Sequence, residues 1–282
     1  MLKQRTITSL VTLPLLLAAV WFDTPIHWFT LLMLVWGAAA VIEFYNLSGK
    51  VGIKPLLYLG TAWTVLLMAA RDASIAAYLN VQSEQLSMML LASAVVIPLI
   101  WLLRHEPRSQ AFASWVWTLG GMAYIGLLLG YFIALRTTVD GRNWVYFAFL
   151  ATIASDTAAY FVGRTWGKRK LAPSISPSKT WAGSVGGLAG AGVISLIFVP
   201  ATIFSAANVL HIPELHYWSA VPIGVVVSTF GQLGDLAESL FKRNMGAKDS
   251  GKLFPGHGGA LDRLDSVAFA GVVIYYIVWL IR

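Results

Sequence analysis

No cysteine occurs anywhere in the 282 residues, which excludes disulfides, iron–sulfur clusters and thiolate zinc sites. Charge is scarce as well: Asp, Glu, Lys and Arg make up 12% of the chain, roughly half the share of a soluble domain. The five histidines, His27, His105, His211, His216 and His257, are scattered and lack the spacing of a zinc-binding helix. Any metal is therefore expected on carboxylates, which favour hard cations such as Mg²⁺. No GxSxG elbow marks an activated serine. Internal repeats, low-complexity tracts and linkers are also missing.

What the chain has instead is apolar length. Hydrophobic residues make up 57% of it, in runs at about 7–22, 27–47, 55–70, 86–103, 112–135, 144–162, 183–205, 217–241 and 265–281. A span needs about 20 such residues, so the expectation is an all-α polytopic integral membrane protein of about nine transmembrane helices. The basic, then apolar, N-terminus resembles a signal peptide. It is followed by Asp23, Thr24 and Pro25 with no small-x-small cleavage site, so it reads as an uncleaved first span. The shortest run, 55–70, decides the parity of everything after it.

The formal charge of +7 fits topology, with no nucleic acid partner required. With the N-terminus cytoplasmic and the C-terminus outside, only Arg71, Arg136, Arg142 and Arg282 fall in outer connections, leaving 16 of the 20 Lys and Arg inside. That asymmetry follows the positive-inside rule. The bacterial-type cytoplasmic (inner) membrane is the expected location, and 163–182 and 242–264 become cytoplasmic loops. Residues 1–143 read as a scaffold giving lipid access and dimer contacts, and 144–282 as helices carrying the catalytic loops, within one integrated membrane domain. Glycines 183, 186, 187, 190 and 192 have small-xxx-small spacing, the pattern of close helix packing.

Three polar constellations interrupt the apolar background. The first is acidic: Asp156, Asp235, Glu238, Asp262 and Asp265 lie in spans or at their mouths, where a carboxylate is costly and faces a cavity, a partner or an ion. Asp262 and Asp265 are three apart, so they share a face if Asp262 opens the last helix. A cation between them, with Asp235 adding an oxygen, would relieve the repulsion; ion pairs with Arg263, Lys242 or Arg243 are the other reading. The second constellation is the loop GRTWGKRKLAPSISPSKTWAGS, where Ser176, Ser178 and Thr180 interleave with Lys179 just ahead of a helix start. Hydroxyls, backbone N–H groups and a positive helix end suit phosphate, although a basic loop at a membrane is also a plain topology signal. The third is SLFKRNMGAKDSGKLFPGHGGALDRLD at 239–265, with Lys242, Arg243, Lys248, Lys252, Arg263 and a glycine turn around His257. Glycine lets a ligand approach the backbone closely, and His257 could donate to a phosphate or a leaving group.

Carboxylates for a metal beside cations for phosphates are the parts of phosphoryl or nucleotidyl transfer. A cation-coupled secondary transporter using intramembrane carboxylates is the alternative, but the paired interrupted helices of two related halves are not visible.

The pattern Ser239, Lys242, Arg243, Lys248, Asp249, Pro255, His257, Gly258, Gly259, Asp262, Arg263 and Asp265 resembles the signature of the phosphatidate cytidylyltransferases, or CDP-diacylglycerol synthases. Ser155, Asp156, Tyr160, Gly163, Arg164, Gly167, Lys168, Ser176, Pro177, Lys179, Thr180, Trp181 and Gly183 are similar to a second block of the same family. Coverage is close over 144–281, while 1–143 matches only in hydropathy and small features such as Glu43. Ala260 departs from the family, which usually has a larger aliphatic residue there, and the expected effect is on packing behind the turn.

The resemblance implies transfer of CMP from CTP to phosphatidate, releasing pyrophosphate and leaving CDP-diacylglycerol for phospholipid synthesis, in contact with membrane lipids and as a homodimer. It implies Mg²⁺ on Asp235, Asp262 and Asp265, with Asp156 orienting it or holding a second cation. Lys242, Arg243, Lys248, Asp249, His257 and Arg263 complete the implied catalytic set. Ser176, Lys179, Thr180, Ser239, Gly258 and Gly259, with the same cations, are implied in substrate binding.

Overall fold

The computed structural model describes residues 2–23, 26–105, 108–199, 210, 212–253 and 258–282. With no water in the bilayer core, backbone groups must be paired within the segment, and the apolar runs accordingly form helices. These are α1 (Leu2–Trp21), α2 (Trp28–Gly49), α3 (Leu57–Ala69), a short α4 (Ala73–Tyr78), α5 (Ser83–His105), α6 (Arg108–Gly121) and α7 (Leu128–Arg136). Then follow α8 (Gly141–Trp166), α9 (Trp181–Ser195), α10 (Tyr217–Asn244) and α11 (Asp265–Ile281). A π-helical segment, Met122–Leu127, joins α6 to α7.

Each apolar run of the sequence has a helix on it. Among the described residues, six stretches are long and apolar enough to cross a membrane: Trp28–Gly49, Ser83–Arg104, Gln110–Arg136, Gly141–Trp166, Trp181–Phe198 and Tyr217–Asn244. The apolar helices Thr12–Trp21, Leu57–Ala69 and Asp265–Ile281 are shorter. The chain is an all-α polytopic membrane protein.

The helices form two compact units, 1–137 with 242–264, and 138–241 with 265–282. In the first, α2 is central. Phe29, Met33, Ala40, Val41 and Phe44 on α2 are buried, as are Leu67, Met68, Leu129 and Phe132. The Tyr45 hydroxyl donates to the Thr118 carbonyl at 2.8 Å. A side chain that takes a carbonyl from the helical ladder is a recognised cause of local unwinding, and the π segment begins four residues later. Along its length α2 also meets the 242–264 segment, where the Trp36 indole donates to the Ala260 carbonyl at 3.1 Å. Ala260 is fully buried.

In the second unit α8 and α9 lie side by side at backbone contact. A Cβ on Gly183 would stand 2.8 Å from the Ala159 carbonyl oxygen and 3.2 Å from the Gly163 Cα. The small-residue run therefore packs helices, the plain reading of its spacing. Trp144, Phe147 and Phe198 stack behind it with ring centroids 5.7 and 5.1 Å apart. The Ser155 and Ser228 hydroxyls, 2.6 Å apart, link α8 to α10. Between α8 and α9 the chain makes a small hairpin that the all-α expectation did not include. Strand β1 (Lys170–Ala172) runs antiparallel to β2 (Ser176–Thr180), with Lys170 opposite Thr180 and Ala172 opposite Ser176.

Candidate active site

The basic hairpin, α8 and α10 line a cavity of about 570 Å³ in the second unit, a size suited to a small-molecule ligand. Helix α8 contributes Asp156, Tyr160 and Arg164; the hairpin contributes Lys170, Ser178, Lys179 and Thr180; α10 contributes Gln232 and Asp235. The Lys179 ammonium lies 2.7 Å from Asp235 Oδ2, while Ser239, one turn further along α10, donates to Asp235 Oδ1 at 3.4 Å. Thr180 ends the strand and caps α9, its Oγ1 accepting from the Gly183 N–H at 3.1 Å. A helix N-terminus therefore opens beside Lys179, as the sequence suggested, and it brings positive potential with it. The Gln232 amide donates to the Ser184 carbonyl at 3.2 Å and the Ser228 hydroxyl at 3.1 Å, fixing the cavity wall.

The 242–264 segment of the first unit is organised by a carboxylate. Asp262 Oδ1 accepts from the Lys242 ammonium at 2.6 Å. Its Oδ2 accepts from the Ser250 N–H at 2.9 Å, the Ser250 hydroxyl at 2.9 Å and the Gly259 N–H at 2.7 Å. The side chain is 6% exposed. Burial by itself would raise its pKa, but the Lys242 hydrogen bond, the Gly259 N–H, the Lys242 charge and the Ser250 N–H together hold it below the ordinary carboxylate value. Gly258 sits at φ +87°, the left-handed region open to glycine, and a Cβ there would crowd Asp262 Oδ2. Arg243 donates to the Ala247 carbonyl at 3.1 Å, and Lys248, Asp249 and Arg263 are exposed.

Of the sequence-predicted residues, the second unit gathers Asp156, Lys179, Thr180 and Asp235 on one cavity, and the first gathers Lys242, Gly258, Gly259 and Asp262 on one turn. Asp265 opens α11, where its Oδ1 accepts from the Ser266 N–H at 2.7 Å. Asp262 lies instead in a 3-10 turn, Leu261–Arg263, so the two do not open one helix together. Its carboxylate, taken up by Ser250 and Gly259, holds that residue in the turn. His257, with Pro255, falls outside the described residues. Sequence reasoning left Arg164, Lys170 and Gln232 out of the site. The density of cations around the hairpin was the available signal for the first two, whereas Gln232, one turn before the Asp235–Ser239 pair, had none.

Among the described residues no three Asp, Glu or His side chains are grouped as a metal site. An ammonium group instead stands on each of two carboxylates expected to hold Mg²⁺, Lys179 on Asp235 and Lys242 on Asp262. These are positions of concentrated negative charge that a cation suits, and Asp235, 31% exposed, is open to exchange one cation for another. The donor chemistry is all oxygen, as Mg²⁺ prefers.

The sequence pattern of the cytidylyltransferase family matches residues 3–281. The phosphatidate cytidylyltransferase of Bacillus subtilis (strain 168) is 34% identical over 280 residues, covering 98% of this chain and 97% of that protein. That of Staphylococcus haemolyticus (strain JCSC1435) is 33% identical over 274 residues, 95% of each. That of Staphylococcus aureus (strain COL) is 31% identical over 280 residues, again 95% of each.

Proposed function

Because the chain belongs to the cytidylyltransferase family, we propose that it transfers CMP from CTP to phosphatidate, giving CDP-diacylglycerol and pyrophosphate for phospholipid synthesis. The observation that carries the reading is the 570 Å³ cavity, which Arg164, Lys170 and Lys179 line together with Asp156 and Asp235. Cations with carboxylates at the start of a helix are suited to phosphate groups and the metal that accompanies them.

In the proposed reaction an oxygen of the lipid phosphate attacks the α-phosphorus of CTP. A new P–O bond forms, the α–β bridging bond breaks, and pyrophosphate leaves with the electron pair. The attacking phosphate already carries negative charge, so no strong general base is needed. Lys179, Ser176, Thr180 and Ser239 are proposed to bind phosphate in the second unit, and Lys242, Arg243, Lys248, Arg263, Gly258 and Gly259 in the first, with Asp249 and His257 supporting catalysis. Mg²⁺, with Asp235, Asp262 and Asp265 as proposed ligands and Asp156 orienting it or holding a second cation, would neutralise charge on the triphosphate and the departing pyrophosphate. Lysines that neutralise Asp235 and Asp262 without nucleotide would then be released to the phosphates. We further place the active site on the cytoplasmic side of a bacterial-type inner membrane, with about nine spans, a cytoplasmic N-terminus, lipid access through the helices, and a homodimeric assembly.

The test uses purified protein with CTP, phosphatidate and Mg²⁺, reading pyrophosphate. Asp235→Asn and Asp262→Asn are each expected to lose about 10²- to 10³-fold in turnover, the scale for losing an electrostatic anchor of the transition state. Lys179→Ala should raise the KM of a phosphate-bearing substrate about tenfold, the cost of one charge-assisted contact. Wild-type turnover in Asp235→Asn would take that residue out of the site, and an unchanged KM would return the hairpin to a topology role.

A further inference from the structure

Glu43 lies near the end of α2, about 200 residues before the segment it holds. Its Oε2 accepts from the Ser250 hydroxyl at 2.9 Å and from the Leu261 N–H at 3.0 Å. The contact is built from both sides. A Cβ on Gly251 would collide with Glu43 Oε1, and one on Gly259 with Oε2. Two glycines therefore leave room for the carboxylate between the two arms of the turn, 250–251 and 259–261. The Ser250 hydroxyl is 2.9 Å from Glu43 Oε2 and 2.9 Å from Asp262 Oδ2. One hydroxyl proton serves one acceptor at a time. The backbone N–H groups of Leu261 and Gly259 then give each carboxylate a donor of its own, at 3.0 and 2.7 Å.

We infer that Glu43 is a positioning residue, which clamps residues 250–251 and 259–261 against one another and thereby sets where Asp262 and its partner Lys242 stand. The inference rests on the assignment of the 242–264 segment to phosphate chemistry. Glu43 acts through accepted hydrogen bonds. Glutamine keeps one carbonyl oxygen that can accept from Ser250 and Leu261, whereas alanine releases both arms.

Three readouts separate the possibilities: pyrophosphate release, the rate of tryptic cleavage at the exposed Lys248 and Lys252, and the melting temperature in detergent. Glu43→Ala is expected to lose about 10- to 100-fold in kcat/KM, the range seen when a group supporting a reactive side chain is removed. It should be cut at these lysines at least about tenfold faster, in proportion to the population of the opened turn, with its melting temperature within a few degrees of wild type. Glu43→Gln should stay within about threefold of wild type on both counts. Cleavage of Glu43→Ala at the wild-type rate, a large drop in its melting temperature, or a Glu43→Gln as defective as Glu43→Ala would each overturn the inference. If the wild type turns over nothing while cleavage responds as expected, the clamp stands and the cytidylyltransferase reading of this chain fails; turnover without the cleavage response is the opposite result.

Discussion

Asp262 accepts from an ammonium, two backbone N–H groups and a hydroxyl, so a change at this one carboxyl disturbs four donors. With its pKa held below the ordinary value, its contribution to folding is complete above the unfolded-state value of about 4 and is lost as pH falls through the lower, folded value. Amide hydrogen exchange at Ser250 and Gly259, corrected for intrinsic rates, should therefore show steady protection from pH 7 to about 5 and a decline only below about pH 4. In Asp262→Asn, whichever way the amide turns, an N–H₂ faces either the Lys242 ammonium or the Ser250 and Gly259 donors. Protection should be low at pH 7 and the acid transition gone. A wild-type decline centred near pH 6 would show that another group governs the turn. Much of this residue-scale detail was not legible in the sequence. The Lys242–Asp262 ion pair was one of two readings open for the aspartates, but the donors from Ser250 and Gly259 exist only once the chain has turned, and Glu43 is too distant in sequence to be matched to its partners.

At the scale of elements the sequence was more informative, because a helix in lipid needs only a long apolar run, and each run has its helix. The hairpin was hidden for the converse reason. Its second strand, Ser176–Thr180, is a polar five-residue stretch with a proline in it, and its pairing with Lys170–Ala172 leaves no hydrophobic alternation to read. The α8–α9 contact was legible as spacing, and the structure adds its tolerance. Gly183 meets backbone, at 2.8 Å from the Ala159 oxygen and 3.2 Å from the Gly163 Cα, and neither can rotate away. Gly183→Ala should therefore cost about 1–3 kcal/mol through overpacking and displace the Thr180 cap that borders the cavity. Gly49→Ala has nothing within 4 Å of the new methyl and should be neutral or stabilising by up to about 1 kcal/mol from helix propensity. Thermal unfolding of both in the same detergent makes the comparison, and equal melting temperatures would mean that the two helices can separate at little cost.

At the scale of the whole molecule, orientation turns on charge and on parity. Among the arginines in the outer connections of the proposed topology, Arg136 is 3.5 Å from Asp23, Arg71 lies 4.7 Å over the Tyr131 ring, and Arg282 is 3.5 Å from Asp140 and 3.3 Å from Glu214. These three arginines are thus tied to acids or an aromatic ring, and the larger number of cations assigned to the inner side in the proposed topology follows the positive-inside rule. Parity depends on α3, whose 13 residues rise only about 20 Å at 1.5 Å each, short of a hydrocarbon core of roughly 30 Å. If α3 crosses, it does so with its flanking residues extending the path or the bilayer thinned around it. The absence of cysteine makes the test direct, since one introduced thiol is the only one present. Lys50 and Tyr78, both exposed, flank α3 within the first unit. Tyr78→Cys should react with a membrane-impermeant maleimide in intact cells, and Lys50→Cys only after permeabilisation. Labelling of both only after permeabilisation would mean that α3 does not cross, so every later loop would change sides and the charge asymmetry would need another cause; labelling of both from outside would also remove α3 as a span, but would invert the part before it and leave the later loops where they are placed. Labelling on opposite sides but in the reverse order would keep α3 as a span and invert the protein, putting the basic hairpin on the side away from cytoplasmic CTP.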